Sequence, residues 1–418
     1  MGGPMKNYDI IIVGAGASGL TAGICAVRNG SNVLILEKLS KPGKKITVTG
    51  NGKCNILSNR EDVESIVHGR DKELACKIFR SIPFETLLRF FESIGIFIHE
   101  KNGYYYPVSL QASTVRDTLV TVALATGCDI TCDCDVTDIT ERDGGFVINN
   151  MFSCKKLIMS AGGCSRPDLG TDGSSFRLLK KFGVGITKLY PSLVGLATDF
   201  RQSKVIDGVR HYADVHLMVD GTEVFFEHGE IIFNKKGISG IPIMNCSGIA
   251  AQALDEGKNV SVRVAVLSQR DREVMMKSIW ERLIEGGYNI EELLTGIANR
   301  KLVYAAMLHL HVDPELRPSV DDGFKIAGHV IDMLCGLTLH VTGTMGFENS
   351  QVTSGGVRLD EVNPATLEHK RLKGLYITGE ALDADFACGG NNLTFAWITG
   401  LRAGTYSAGG TIDSDIFY

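Results

Sequence analysis

Residues 8–38 read YDIIIVGAGASGLTAGICAVRNGSNVLILEK. Tyr8–Val13 is a short β-rich run, Ala17–Asn29 has helical spacing with Gly30 at its stop, and Asn32–Leu36 is a second apolar run. Gly14-x-Gly16-x-x-Gly19 thus follows a strand and opens a helix, and Glu37 answers it at the end of the next strand. Each part has a physical task in holding a dinucleotide. Gly14 makes the tight turn, Gly16 lets backbone approach a pyrophosphate, and Gly19 lets helix and strand pack closely. Ala17 and Ser18 contribute the N–H groups of the helix N-terminus, which favours anions, and Glu37 accepts hydrogen bonds from a ribose diol.

Further along the chain, Asp62–Gly127 is mostly helical, broken by Tyr104-Tyr105-Tyr106-Pro107. Cys128–Ile148 alternates, with a hairpin signal at Asp143-Gly144-Gly145, and Lys156–Met159 is another strand ending at Ala161-Gly162. After Pro191 two strand–turn–strand signals follow, with turns expected at Asp220-Gly221 and His228-Gly229. Helical periodicity then returns, with Val274, Met275, Ile279, Leu283 and Ile284 as one apolar stripe and a capping box at Asn289–Glu292. A helix over Asp322–Leu334 precedes strands at Leu337–Val341 and Leu375–Thr378. The fold expected is α/β, a Rossmann-type domain formed by both chain ends (1–190 and 350–418). It carries an inserted β domain (191–266 and 336–349) and a helical subdomain (267–335).

Composition excludes several classes. Forty-three basic against 48 acidic residues give a net charge of −5, so there is no nucleic-acid footprint. The stretch Ile10–Val27 carries no charge, but its glycines and the short apolar run Ile10–Val13 argue against a membrane span or signal. Eleven cysteines without any C-x-x-C pair point to reduced, cytoplasmic thiols and no metal site. Cys128, Cys132 and Cys134 read as sheet packing, and His309 and His311, two apart on a helix, point away from each other.

The choice of dinucleotide rests on the rest of the chain. The glycine-spaced polar loop Gly43-Lys44-Lys45 … Gly50-Asn51-Gly52-Lys53-Cys54-Asn55 is too hydrophilic for core. Near the other end, Gly379-Glu380 closes a strand, Asp383 follows, and Gly390-Asn391-Asn392-Leu393 opens a helix. FAD is long enough for one chain end to hold its adenosine and the other its ribityl chain and ring, so FAD is favoured over NAD. Gly14, Gly16, Gly19 and Glu37 are assigned to the adenosine diphosphate end. Lys44, Lys45 and Asn51–Asn55 surround the flavin and pyrophosphate. Gly379, Glu380 and Asp383 take the ribityl region, and Gly390–Leu393 the ring. Lys38, Gly43, Val136, Ala161 and Gly162 complete the cofactor-lining set. Cys54 reads as a small residue fitting against the ring, and Tyr106 is the nominal proton donor and catalytic residue.

These blocks carry a resemblance. The chain resembles the BaiN-like family, also called YhiN-like or aminoacetone-oxidase-like, of FAD-dependent NAD(P)H oxidoreductases. The matching segments are GKKITVTGNGKCN (43–55), YPVSLQASTV (106–115), SAGGCS (160–165), PSLV (191–194), GISG (237–240), TSGGV (353–357) and residues 374–404. The resemblance implies a two-dinucleotide-binding FAD domain with an inserted β domain and a small helical domain. It also implies NADH or NADPH as a transient donor and a small-molecule enone of steroid or bile-acid type as substrate. An oxidase turning over amines with dioxygen, and a non-catalytic or tRNA-modification-related flavoprotein, are the alternatives. The chain departs from the family pattern at Asn234-Lys235 (usually Thr-His), at Asp383-Ala384-Asp385 (Asp-Gly-Asp) and at Gly389-Gly390-Asn391-Asn392 (Gly-Gly-Tyr-Asn).

Overall fold

A computed structural model describes residues 5–412. Contacts divide the chain into two compact units, one made of the chain up to Pro191 together with the chain from Ser350 onward, the other of Ser192–Asn349.

In the first unit, β1 (Lys6–Val13), α1 (Ala17–Arg28) and β2 (Val33–Leu36) are followed by α2 (Lys72–Phe79), α3 (Phe84–Ser93), the hairpin β3 (Ile98–Lys101) and β4 (Tyr104–Pro107), and α4 (Ala112–Thr126). Then come β5 (Asp129–Thr131), β6 (Ile139–Arg142), β7 (Gly145–Ile148), β8 (Phe152–Met159), α5 (Ser174–Lys181) and β9 (Tyr190–Ser192). The second unit runs β10 (Leu196–Thr198), β11 (Arg210–Val219), β12 (Thr222–Asn234), β13 (Gly237–Gly240), α6 (Ile241–Asp255) and β14 (Val260–Ala265). Four helices follow, α7 (Gln269–Glu285), α8 (Ile290–Leu294), α9 (Arg300–His309) and α10 (Val320–Leu334), and then β15 (Leu337–Thr344). The chain returns through β16 (Val352–Ser354), β17 (Leu375–Ile377) and α11 (Asn391–Ser407).

The main sheet has the order β5-β2-β1-β8-β7-β6, with β17 also on β8. Strands β5, β2, β1, β8 and β17 are parallel, with Ile12 opposite both Ile35 and Ile158, and Tyr376 opposite Ile158. Strands buried on both faces read as continuous apolar runs, which is how IIIV (10–13), VLIL (33–36) and LIM (157–159) appear. Helices α1 and α11 pack with their backbones in near contact: a Cβ on Gly400 would overlap the Ser18 carbonyl, and one on Gly404 the Ala22 carbonyl.

The second unit is a closed six-stranded barrel, β10-β13-β12-β11-β14-β15. Its inward residues and the helices α7–α10 share one apolar core, from Leu196 and Val215 to Ile279, Leu294, Met307 and Ile331. Two expectations fail here. His228-Gly229 is not a turn but the middle of the unbroken strand β12. Gly229 is there because a Cβ would lie 2.9 Å from Pro242 of α6, so the glycine serves close packing rather than chain reversal. The stripe on α7 is narrower than the sequence suggests: Met276, Ile279 and Leu283 are buried, whereas Val274 and Ile284 are mostly exposed. The capping box at Asn289 is present, with its side chain accepting from the Glu292 N–H and Glu292 accepting from the Asn289 N–H. His309 closes α9 and His311 lies beyond it. Among the described residues no helix is long and apolar enough to cross a membrane.

Candidate cofactor site

Parallel strands place all their carboxyl ends at one edge, and the predicted residues gather there. Gly14–Gly16 follow β1, Glu37 and Lys38 follow β2, Val136 follows β5, Ala161 and Gly162 follow β8, and Gly379 and Glu380 follow β17. The Gly14 N–H donates to the Leu36 carbonyl at 2.8 Å, and its φ of +100° together with the adjacent Ser160 carbonyl excludes a side chain. Gly16 differs: a Cβ there would meet nothing within 4 Å. Gly16 is the N-cap of α1, which has neither a side-chain cap nor an acid in its first turn. The positive end of a 12-residue helix is therefore turned to an open cradle, the arrangement a pyrophosphate requires.

Glu37 is held from two sides. One carboxylate oxygen accepts from the Ala15 N–H and the other from the Leu39 N–H, each at 2.9 Å. A carboxylate offers about four lone-pair sites, so acceptor capacity remains for two ribose hydroxyls. Lys38 is engaged differently, with Nζ 2.6 Å from Asp172 and 3.7 Å from Asp135. The Gly43 N–H donates to the Ala15 carbonyl at 2.8 Å, which ties the polar loop to the glycine turn.

Opposite this end lies a buried polar network. Lys45 pairs with Glu380 at 2.6 Å, and the other Glu380 oxygen accepts from the Thr353 N–H at 3.0 Å. Thr353 Oγ1 accepts from the N–H groups of Cys164 (2.7 Å) and Ser165 (3.1 Å), while Ser350 donates to Ser165 Oγ at 2.8 Å. Thr353, Ser165 and Ser350 are absent from the sequence-derived set. For Ser165 and Thr353 the signal is the hydroxyl residues set among glycines in SAGGCS (160–165) and TSGGV (353–357); Ser350 lies outside both segments.

The loop of residues 50–55 is strained. Gly50, Asn51, Gly52 and Cys54 have φ of 54°, 53°, 81° and 57°. For Asn51 and Cys54 that geometry costs about 1–2 kcal/mol each, and such strain persists only where the surroundings enforce it. Those surroundings are visible: Asn55 Oδ1 accepts from the Tyr105 N–H at 3.2 Å, the Ile56 N–H donates to the Tyr105 carbonyl at 2.8 Å, and Trp397 Nε1 donates to the Ile56 carbonyl at 2.8 Å. Lys44 is half-buried, and Gly52 and Lys53 are exposed. Cys54 is fully buried, and burial pushes its thiol up to about 11. It is a neutral thiol at neutral pH, so native protein at pH 7.5 should leave Cys54 unlabelled by iodoacetamide, with labelling by mass spectrometry only after unfolding.

Gly390 is the N-cap of α11; its φ is +84°, and a Cβ there would lie 2.8 Å from the Leu57 carbonyl, which leaves no room for a side chain. Asn391 is buried, its amide donating to the carbonyls of Ala387 (2.9 Å) and Cys388 (3.3 Å). The Asn392 amide is engaged with both the N–H (3.0 Å) and the carbonyl (2.6 Å) of Phe386. Both asparagines therefore hold the turn of residues 386–390, and Leu393 packs on the core. What α11 offers a ring at this end is its uncapped first-turn N–H groups.

Asp383 is enclosed, 4% exposed, with Thr187 bonded to its carboxyl and Asp385 and Arg70 nearby. Burial first, then the Asp385 charge, push its pKa up to about 6, against the lowering by Thr187 and Arg70. A folded value above the unfolded one means this group stabilises most below about pH 4, and its contribution is lost as pH rises through 6. About two units correspond to roughly 3 kcal/mol. Urea titrations at pH 4.5 and 7.5 should therefore show a smaller loss of stability on raising the pH in Asp383→Asn than in the parent, by about 2 kcal/mol. An equal loss in both would refute it. Tyr106 is half-buried on β4, its phenol pushed up by burial and then by Tyr104. All eleven cysteines are free, and the described residues contain no group of three metal-ligating side chains.

This sheet edge presents a carboxylate at Glu37, an uncapped helix terminus at Gly16 and the segment returning after β17, and a long dinucleotide carries two phosphates between two hydroxyl-bearing arms. The fold is that of Rossmann-type, FAD-dependent oxidoreductases. Within that class the chain belongs to the HI0933-like family, whose description, "HI0933-like protein Rossmann domain", matches residues 8–406. It is 35% identical over 409 residues to the 3-dehydro-bile acid delta(4,6)-reductase of Clostridium scindens, covering 95% of this chain and 98% of that one. It is 25% identical over 406 residues to the ribosomal RNA dihydrouridine synthase of Escherichia coli, covering 94% and 96%. Among solved structures, the 3-ketosteroid-delta4-(5alpha)-dehydrogenase of Rhodococcus jostii aligns with a TM-score of 0.48 at 14% identity over 96% of this chain and 97% of that one.

Proposed function

We propose that the protein reduces a conjugated carbon–carbon double bond in a steroid- or bile-acid-like enone, using FAD and drawing electrons from NADH or NADPH in the cytoplasm. The 35% identity to a bile-acid delta(4,6)-reductase across nearly the full length of both chains carries this reading. Bound FAD supplies the hydride that adds to the β-carbon of the enone. The chain's own part is to hold and orient. The N-terminus of α1 would neutralise the pyrophosphate, Glu37 and Glu380 would hold the two hydroxyl-bearing arms, and the N-terminus of α11 would stabilise negative charge on the reduced ring. A phenol on β4 supplies the proton.

A second reading is favoured by the identity to a ribosomal RNA dihydrouridine synthase. Converting uridine to dihydrouridine also saturates a double bond conjugated to a carbonyl, so the chemistry is shared and the substrate differs. The net charge of −5 weighs against an RNA substrate. The test is anaerobic: NADH or NADPH should bleach the flavin absorbance, and a 3-oxo-Δ4 steroid should restore it with formation of the saturated ketone. Recovery with bulk ribosomal RNA but with no enone would select the second reading. Peroxide formed from an amine without nicotinamide would select an oxidase instead.

A further inference from the structure

The hairpin β3–β4 is bonded to the cofactor loop through its middle residue. Tyr105 exchanges backbone contacts with Asn55, Ile56 and Leu57, and its ring packs on Phe84 at 4.7 Å. Side chains alternate along a strand, so Tyr104 and Tyr106 share the opposite face. Their rings are 6.5 Å apart. Across the hairpin, His99 stands directly opposite Tyr106, again with 6.5 Å between rings. All three side chains are half-buried, neither sealed in the core nor free in water. At the inner end of this row the Tyr104 ring lies against the turn that opens α11: a Cβ on Gly389 would be 3.8 Å from Tyr104 Cε1 and 3.3 Å from Asn391 Nδ2. Cys54, in the same loop, has no surface from which to give up a proton.

We propose that Tyr104, rather than Tyr106, delivers the proton that completes double-bond reduction, and that Tyr106 and His99 relay its replacement from solvent. The proposal rests on the enone reading above. The β-carbon accepts the hydride, the π electrons form a new C–H bond at the α-carbon, and the proton in that bond leaves the Tyr104 hydroxyl. The resulting phenolate takes a proton from Tyr106, which regains one from water through His99. The net reaction consumes one NAD(P)H and one proton for each double bond saturated.

The experiment separates the half-reactions by anaerobic stopped flow on the flavin-loaded protein. Tyr104→Phe should be reduced by the nicotinamide as fast as the parent, whereas its reoxidation by a 3-oxo-Δ4 steroid should slow by about 100-fold or more. Equilibrium dialysis should show the same steroid bound within about threefold of the parent, and Tyr106→Phe should slow reoxidation by less. Added phenol should restore reoxidation in Tyr104→Ala, a rescue that a merely structural role would not allow. Reoxidation of Tyr104→Phe within about threefold of the parent overturns the assignment, as does a parallel loss of reduction, binding and reoxidation. A parent protein whose reduced flavin no enone reoxidises overturns the enone reading itself, and this proposal with it.

Discussion

Glu37→Ala is expected to weaken FAD binding by about 100-fold while leaving the protein folded. Hydrogen bonds to a charged acceptor contribute about 1.5–3 kcal/mol each, and every 1.4 kcal/mol is tenfold in affinity. Two hydroxyl contacts account for the factor. The same substitution frees the Ala15 and Leu39 N–H groups that the carboxylate now holds at 2.9 Å, so the turn that cradles the phosphates loosens as well. Fluorescence titration of the apoprotein with FAD measures the change, and Glu37→Gln, which keeps one acceptor, should fall between. Undiminished affinity in Glu37→Ala would show that the carboxylate serves the turn alone.

Gly404→Val should cost more than about 3 kcal/mol, a large fraction of the roughly 5–15 kcal/mol that holds a domain of ordinary stability. The added Cβ would overlap the Ala22 carbonyl, and backbone in a packed helix pair has nowhere to move. Gly16→Ala is the informative contrast. Its Cβ meets no protein atom within 4 Å, so unfolding in urea should be nearly unchanged while FAD affinity falls, because the methyl occupies the phosphate cradle. Equal stability losses in the two variants would contradict the distinction between a packing glycine and a ligand-facing one.

What could be read from residues alone divides along a physical line. The strand–glycine turn–helix order, the apolar strands and the capping box at Asn289 are local patterns, each set by residues close in the chain, and each appears in the structure. Glycine meanings were harder. Gly229 looked like a turn because the sequence cannot show that Pro242 lies over it. Val274 and Ile284 looked like core because periodicity marks a face but not its width. In the site, the Thr353–Ser165–Ser350 network joins segments far apart in the chain, and no spacing rule foretells that. Asn391 and Asn392 stood where a ring contact was expected, yet their amides bind the turn before the helix. Amide side chains satisfy backbone groups as readily as ligands, and only three-dimensional neighbours decide which.

The interlocked pair α1 and α11 also sets a timetable for biosynthesis. Helix α1 is synthesised well before α11, yet the surface that covers Ser18 and Ala22 arrives only with Gly400 and Gly404. Contacts so distant in sequence close slowly and leave apolar surface uncovered meanwhile. The barrel core, drawn wholly from Leu196 to Val341, can consolidate while the coenzyme-holding unit is still waiting for its last helix. Nascent chains halted before α11 are expected to leave this surface uncovered and to be clients for chaperones.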